Sequence, residues 1–208
     1  MSVQTTCVKR TEGTVVLVSG GVDSTVLLHH QHAHSRLDGT RVFPLFLDYA
    51  QRAARFEREA ADWHCRQLGL SLHAIDLAQL GESFRAGQAL KRHVPLPHRN
   101  LVALSVALSY LELVRGSALS FGIIQDDTDG YPSASLAFLE SFRVMAQTLG
   151  PVRIDAPLVS WNKATVVQEG QRLGVDFRRT YSCMLGLDPH CGRCSQCQRR
   201  FAVLGGLG

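Results

Sequence analysis

The stretch TVVLVSGGVDSTVLLHH, from Thr14 to His30, constrains the fold more than any other part of the chain. Thr14 to Val18 is an unbroken run of β-branched and aliphatic residues, the composition of a strand buried on both faces of a parallel sheet. Ser19-Gly20-Gly21-Val22-Asp23-Ser24 then breaks the run, and Val22, Val26, Leu27 and Leu28 resume it at helical spacing. Paired glycines permit a tight turn and close approach of a ligand to the backbone. A helix starting there aims free N–H groups and its positive dipole end back at the turn. The segment therefore reads as a strand–turn–helix anion site for phosphate. The competing reading, glycines that serve only packing, is weakened by six matching positions in the right local context.

The remaining sequence repeats the strand–helix alternation. Strands are expected at Arg41–Leu47, Ser71–Ile75, Ala118–Ile124 and Val152–Ala156. Helices are expected from the turn to about His34 and over Arg52–Leu68, Asn100–Val114, Leu136–Leu149 and Lys163–Leu173. Ala78–His98 and Asp126–Ser135 read as loops, the first as a loop or lid. Alternation of this kind implies a Rossmann-like α/β fold, an open parallel sheet flanked by helices. With no repeat or linker, residues 1–208 read as a single domain with a metal-bound tail at residues 181–200. In such sheets ligands sit beyond the carboxyl ends of the strands. The phosphate turn, Asp48-Tyr49 and the loop after the fourth strand should then face one crevice.

Composition bounds the function classes. The 208 residues are 45% hydrophobic and 19% charged, with a net charge of +4. That suits a globular core and anionic ligands of either small or polymeric kind. No apolar run is long enough to span a bilayer and no signal-peptide core is evident, so a cytoplasmic protein is expected. No basic-aromatic stripe points to intact nucleic acid.

Four of the six cysteines, Cys183, Cys191, Cys194 and Cys197, fall within fifteen residues. The C-x7-C-x2-C-x2-C spacing supplies four thiolates for a closed, structural zinc site. Its C-x2-C-x2-C part is also found in iron–sulfur runs, though no Cys-Pro follows. His190 is read as a neighbour rather than a ligand. Cys7 and Cys65 stand alone, with Cys65 expected in the core. His29, His30, His32 and His34 are read as a solvated helix end, and Trp63 and Trp161 as packing residues.

The turn lacks the spacing of a P-loop or of a dinucleotide fingerprint. It resembles the Ser-Gly-Gly-x-Asp-Ser turn of the ATP pyrophosphatases, which split ATP into AMP and pyrophosphate. From about Val15 to Arg200 the chain resembles the 7-cyano-7-deazaguanine synthases of that superfamily. Asp48-Tyr49-Ala50-Gln51-Arg52 is similar to the family's Asp-Tyr-Gly-Gln-Arg, and Arg99-Asn100 to its Arg-Asn. Gly122, Asp127 and Gly130-Tyr131-Pro132 follow its loop after strand four. Asn162-Lys163-Ala164 resembles its Thr-Lys-Ala, and Tyr181-Ser182-Cys183 its Trp-Ser-Cys.

The resemblance implies an ATP-dependent carbon–nitrogen ligase that adenylates 7-carboxy-7-deazaguanine and takes up ammonia, giving an amide and then a nitrile. It implies ATP, Mg2+ and structural Zn2+ as cofactors, and a homodimer. Ser19, Gly20, Gly21, Val22, Asp23, Ser24, Thr25, Asp48, Arg99 and Gly122 would bind the nucleotide. Asp23, Lys163 and Arg99 would act in catalysis. Tyr49, Gln51, Arg52, Asn100, Asp127, Tyr131 and Pro132 would face the deazapurine. The chain departs from the pattern after Gly-Tyr-Pro: the family usually continues Asp-Cys-Arg-Pro-Glu, whereas Ser133-Ala134-Ser135-Leu136-Ala137 stands here. Ala53 likewise replaces a usual histidine. A retained ATP site beside an altered acceptor pocket leaves a second outcome open, transfer of the activated acid to another amine, including a protein amine, or arrest at the amide. Two further readings use the same turn: a tRNA sulfur transferase, which needs a persulfide cysteine near the crevice, and a non-catalytic nucleotide-binding protein.

Overall fold

A computed structural model describes residues 12–85, 96–128 and 130–205. Cys7, residues 86–95 of the expected 78–98 loop and residue 129 lie outside these. Five strands form one sheet in the order β3-β2-β1-β4-β5, all parallel. They are β1 (Gly13–Leu17), β2 (Arg41–Asp48), β3 (His73–Asp76), β4 (Ala118–Ser120) and β5 (Arg153–Asp155). The helices are α1 (Val22–Asp38), α2 (Ala54–Gln67), α3 (Ala78–Arg85), α4 (Arg99–Leu113), α5 (Gln125–Thr128), α6 (Leu136–Gln147), α7 (Lys163–Arg172) and α8 (Ser195–Leu204).

The strand period of two sorts β1 between two cores. Val15 joins Leu45, Leu104, Leu119 and Phe142 on the face covered by α4 and α6. Val16 joins Leu27, Phe46, Val166 and Phe177 on the face covered by α1, α2 and α7. Leu27 and Phe46 are at most 1% exposed, and each such side chain removed from water contributes about 1.5–3 kcal/mol. The run Ser24–His29 of α1 is buried throughout, so this helix is wrapped by protein and has no broad solvent face in its first half. Gly39, at φ +76, closes α1 by donating its N–H to the Ser35 carbonyl. Pro44 is tolerated inside β2 because the ladder to β3 begins only at Leu45.

Several sequence expectations need correction. Ala78–Arg85 is helical although it was expected in a loop. The Asp76 carboxylate ends β3 and accepts from the Ala78 N–H at 2.8 Å, a start signal that Gly81 and Ser83 obscure. The expected loop Asp126–Ser135 contains most of α5 and a 3-10 turn at Pro132–Ala134. The fourth strand stops at Ser120, because Gly122 leaves the sheet to pack against the start of α1. The tail carries a helix, α8, whose first turn Cys194 caps through its Sγ. Finally, His29 and His30 are not solvated. His29 Nε2 lies 3.1 Å from His64 Nδ1 in the core, and His30 Nδ1 lies 3.1 Å from Glu169 Oε1. No described helix is long and apolar enough to cross a membrane.

Candidate active site

Strand order reverses between β1 and β4, and the crevice beyond their carboxyl ends is where such sheets take ligands. The Ser19–Ser24 turn forms its floor. Gly20 adopts φ +73, and a Cβ there would lie 2.1 Å from the Glu57 carbonyl oxygen, so only glycine lets the turn close on α2. Ser19 N–H donates to Ser24 Oγ at 3.0 Å, and Ser24 Oγ donates to the Gly21 carbonyl at 3.2 Å. Among the described residues nothing accepts from the N–H groups of Gly20, Gly21, Val22 and Asp23. Together with the α1 dipole, these groups make a phosphate-sized anion site. Val22 and Thr25 are buried beneath the turn as packing residues. Gly122 comes from the other side: a Cβ there would stand 3.4 Å from Ser24 N.

Lys163 is the first residue of α7, and the Asn162 side chain caps that helix by accepting from the Thr165 N–H at 2.9 Å. The cap brings Lys163 Nζ onto both oxygens of Asp23, at 2.7 and 2.8 Å, with both side chains largely shielded. Asp127 lies next in line. Burial and the Asp23 charge raise its carboxyl above the usual range, and Arg199 approaches to 3.6 Å from its other side. Two neighbouring carboxylates, Asp23 and Asp127, are thus flanked by a cation at each end, Lys163 and Arg199.

The second wall comes from β2 and α4. Ala50, at φ +60, donates its N–H to Asp48 Oδ1, and Arg85 donates to the Ala50 carbonyl. Gln51 is buried and fully occupied: it accepts from the Tyr49 N–H and donates to the Leu47 carbonyl and to Glu57 Oε2. It shapes the loop rather than presenting a free amide to the crevice. Arg99 donates to the Tyr49 hydroxyl at 3.3 Å. It is crowded by protein yet open to water, as a side chain lining a cleft must be. Burial raises the Tyr49 hydroxyl, and Tyr131 stands half exposed within electrostatic reach of Arg99. Arg52 and Pro132 are exposed at the margin. Asn100 is turned to the loop, donating from Nδ2 to the Ser133 carbonyl at 3.0 Å.

Glu57 escaped the sequence reading. It reads as one charge among many on an amphipathic helix, yet the Gln51 fold-back buries it beside Arg99. Burial raises its carboxyl, against the pull of the Gln51 hydrogen bond and Arg99. Arg199 and Tyr181 also escaped, since nothing local ties the tail to the crevice. Tyr181 N–H donates to the Gly20 carbonyl at 2.8 Å.

The four tail thiols converge, all Sγ atoms lying within 4.8 Å of one another. Cys191 and Cys197 are 3.8 Å apart, the edge of a tetrahedron with metal–sulfur bonds of about 2.3 Å. Four thiolates at separate corners of a cluster would stand further apart than four sharing one ion. N–H groups of Arg193 and Cys194 donate to Cys191 Sγ and lower its thiol. His190 Nε2 accepts the Ser182 N–H, which occupies it as a brace. This donor set could hold a metal ion. Cys65 is fully buried, and burial pushes its thiol up to about 12, so it presents no reactive sulfur to the crevice.

Comparisons with known proteins bear on the family and the fold. The chain is 31% identical over 215 residues to the 7-cyano-7-deazaguanine synthase of Marinobacter nauticus, covering 95% of both chains. It is 34% identical over 207 residues to that of Saccharophagus degradans, covering 89% of this chain and 90% of the relative. In fold it is similar to an NMN synthetase from Francisella tularensis, at TM-score 0.57 and 17% identity, over 83% of this chain and 66% of that one. It is also similar to the U34-tRNA thiolase NcsA of Methanococcus maripaludis with its [4Fe-4S] cluster, at TM-score 0.57 and 13% identity, over 96% and 71%. The family model described as queuosine biosynthesis protein QueC matches residues 13–206, and the chain belongs to that family.

Proposed function

We propose that the chain is an ATP-dependent carbon–nitrogen ligase that adenylates 7-carboxy-7-deazaguanine, or a close analogue, and joins it to ammonia. The observation that carries this reading is the juxtaposition, in one crevice, of an N–H-lined turn, the Lys163–Asp23 pair and the Tyr49–Arg99 wall. A carboxylate is a poor electrophile because its oxygen does not leave. Attack of that oxygen on the α-phosphorus of ATP forms the acyl adenylate and expels pyrophosphate. Free N–H groups at Gly20–Asp23 receive the departing charge, with Ser19 and Ser24 beside them. Lys163 can swing from Asp23 to the α-phosphate, while Arg99 offsets charge on the acid. Ammonia then displaces AMP to give the amide. A second adenylation at the amide oxygen, followed by loss of AMP and a proton, gives the nitrile.

Asp23 and Asp127 would hold Mg2+, which supplies neutralisation of the polyphosphate charge. Cys183, Cys191, Cys194 and Cys197 would hold Zn2+, and four thiolates leave it no open position for catalysis. The exposed apolar stripe Val144, Met145 and Leu149 along and just beyond α6 supports the homodimer expected from the family resemblance.

A second reading, capture of the adenylate by a larger amine or arrest at the amide, has its own support. In the loop after Tyr131, Ser135 Oγ is spent on the Pro132 carbonyl and on the Phe138 N–H that it caps, and Ala134 is core. These side chains offer no charge to the acceptor. Mass spectrometry of products from Mg-ATP, ammonium and 7-carboxy-7-deazaguanine separates the readings. Nitrile with AMP and pyrophosphate supports the first, and amide or an amine conjugate the second. No ATP turnover by folded, metal-loaded protein with this acid refutes both for this substrate.

A further inference from the structure

The tail contacts the phosphate turn in a way that a purely local staple would not require. A peptide plane carries the Gly20 carbonyl and the Gly21 N–H on opposite sides, so fixing one aims the other. Tyr181 N–H holds that carbonyl at 2.8 Å. Both neighbours of Tyr181 are in turn tied to α8. Arg200, buried, donates to Thr180 Oγ1 at 2.6 Å, to Ser182 Oγ at 3.4 Å and to the Phe177 carbonyl at 2.6 Å. The Tyr181 ring stacks on Phe56 of α2 at 5.0 Å, and its hydroxyl donates to the Leu187 carbonyl. A second tether lies nearby: a Cβ on Gly186 would stand 2.2 Å from the Arg52 carbonyl oxygen, at the entry to α2. Cys183 follows Tyr181 by two residues, while Cys194 and Cys197 build the first turn of α8.

We infer that the four-cysteine tail is a positioning element for the phosphate turn. A metal shared by Cys183 and the α8 cysteines locks Arg200 and Tyr181 together, and Tyr181 holds the peptide plane that aims the Gly21 N–H into the crevice. Loss of the metal releases the plane while the sheet persists. The tether stands independently of the proposed reaction, and only its effect on ATP rests on that reading.

Amide hydrogen exchange on the full chain without nucleotide tests it directly. Stripping metal with a chelator is expected to speed exchange about tenfold or more at the hydrogen-bonded amides of the turn, Ser19 and Thr25, with β1, β4 and α4 still protected. Arg200→Met, checked to retain its metal, is expected to speed exchange at the same residues. Faster exchange confined to residues 181–205 on stripping, or an unchanged turn in metal-loaded Arg200→Met, overturns the inference. Calorimetry of ATP on metal-loaded protein is a separate arm. Failure to bind there counts against the proposed function and leaves the exchange result standing.

Discussion

Acidification should unlock this protein through one buried pair. His29 and His64 are 7% and 0% exposed, joined ring to ring at 3.1 Å, and His64 Nε2 has no partner among the described residues. Burial lowers both from 6.5 to about 4; His32 lowers His29 further, His64 is lowered further by His29, and Asp176 partly opposes on His64. Above pH 6.5 both are neutral in either state and cost nothing. As pH falls from 6.5 towards 4, the unfolded chain takes up protons that the folded chain refuses, so stability falls with pH. At pH 5 the loss is roughly 2 kcal/mol per histidine, or about 4 for the pair at 1.36 kcal/mol per pH unit. Below pH 4 it levels at about 3.4 kcal/mol each, a large share of the roughly 5–15 kcal/mol of a typical domain. The assay is the urea midpoint between pH 4.5 and 7.5, for the parent and for His29→Leu/His64→Leu, which removes both partners and strands neither. The double variant should lose about 4 kcal/mol less than the parent between pH 7 and pH 5. Equal pH dependence in the two proteins would refute the assignment of the acid transition to this pair.

Gly20→Ala should cost roughly 1–2 kcal/mol from its left-handed backbone alone, plus the clash with the Glu57 carbonyl, and thermal melts with ATP titrations would show both losses. Lys163→Met should lower ATP-dependent pyrophosphate release by about 10²–10³-fold with folding intact, read by single-turnover kinetics. Gln51→Leu strands the Tyr49 N–H and the Glu57 carboxylate, so it should destabilise the chain by about 1–3 kcal/mol and raise KM for the acid more than for ATP. Elemental analysis should find one zinc per chain, and Cys197→Ser should abolish it.

The sequence exposed whatever is written in neighbouring residues. Val15 and Val16, the Ser-Gly-Gly turn and the Asn162-Lys163 helix start all carry their reasons locally, and the parallel sheet flanked by helices follows from the alternation, whereas the strand order does not. What stayed hidden depends on contacts between distant segments. His29 meets His64 across 35 positions, and no spacing within α1 distinguishes it from the wetter His34. Glu57 became part of the site only because Gln51 folds back over it. Tyr181 reads in the sequence only as the start of the metal-bound tail, and the fold alone puts its N–H on the Gly20 carbonyl. Helix α3 is hard to read for another reason: its cap lies on the preceding strand, and Gly81 and Ser83 lower its local propensity.

The loop that differs most from the family pattern is held by its backbone. Asn100 grips the carbonyl of Ser133, a group every residue possesses, so the grip is indifferent to which side chain stands at that position. The same is true of Pro132, whose carbonyl receives the Ser135 hydroxyl. Substitutions at 133 can therefore accumulate under drift without unseating the loop or touching the Ser19–Ser24 turn after β1. If the loop faces the acceptor as proposed, its side chains are free to vary while the Ser19–Ser24 turn keeps its own contacts.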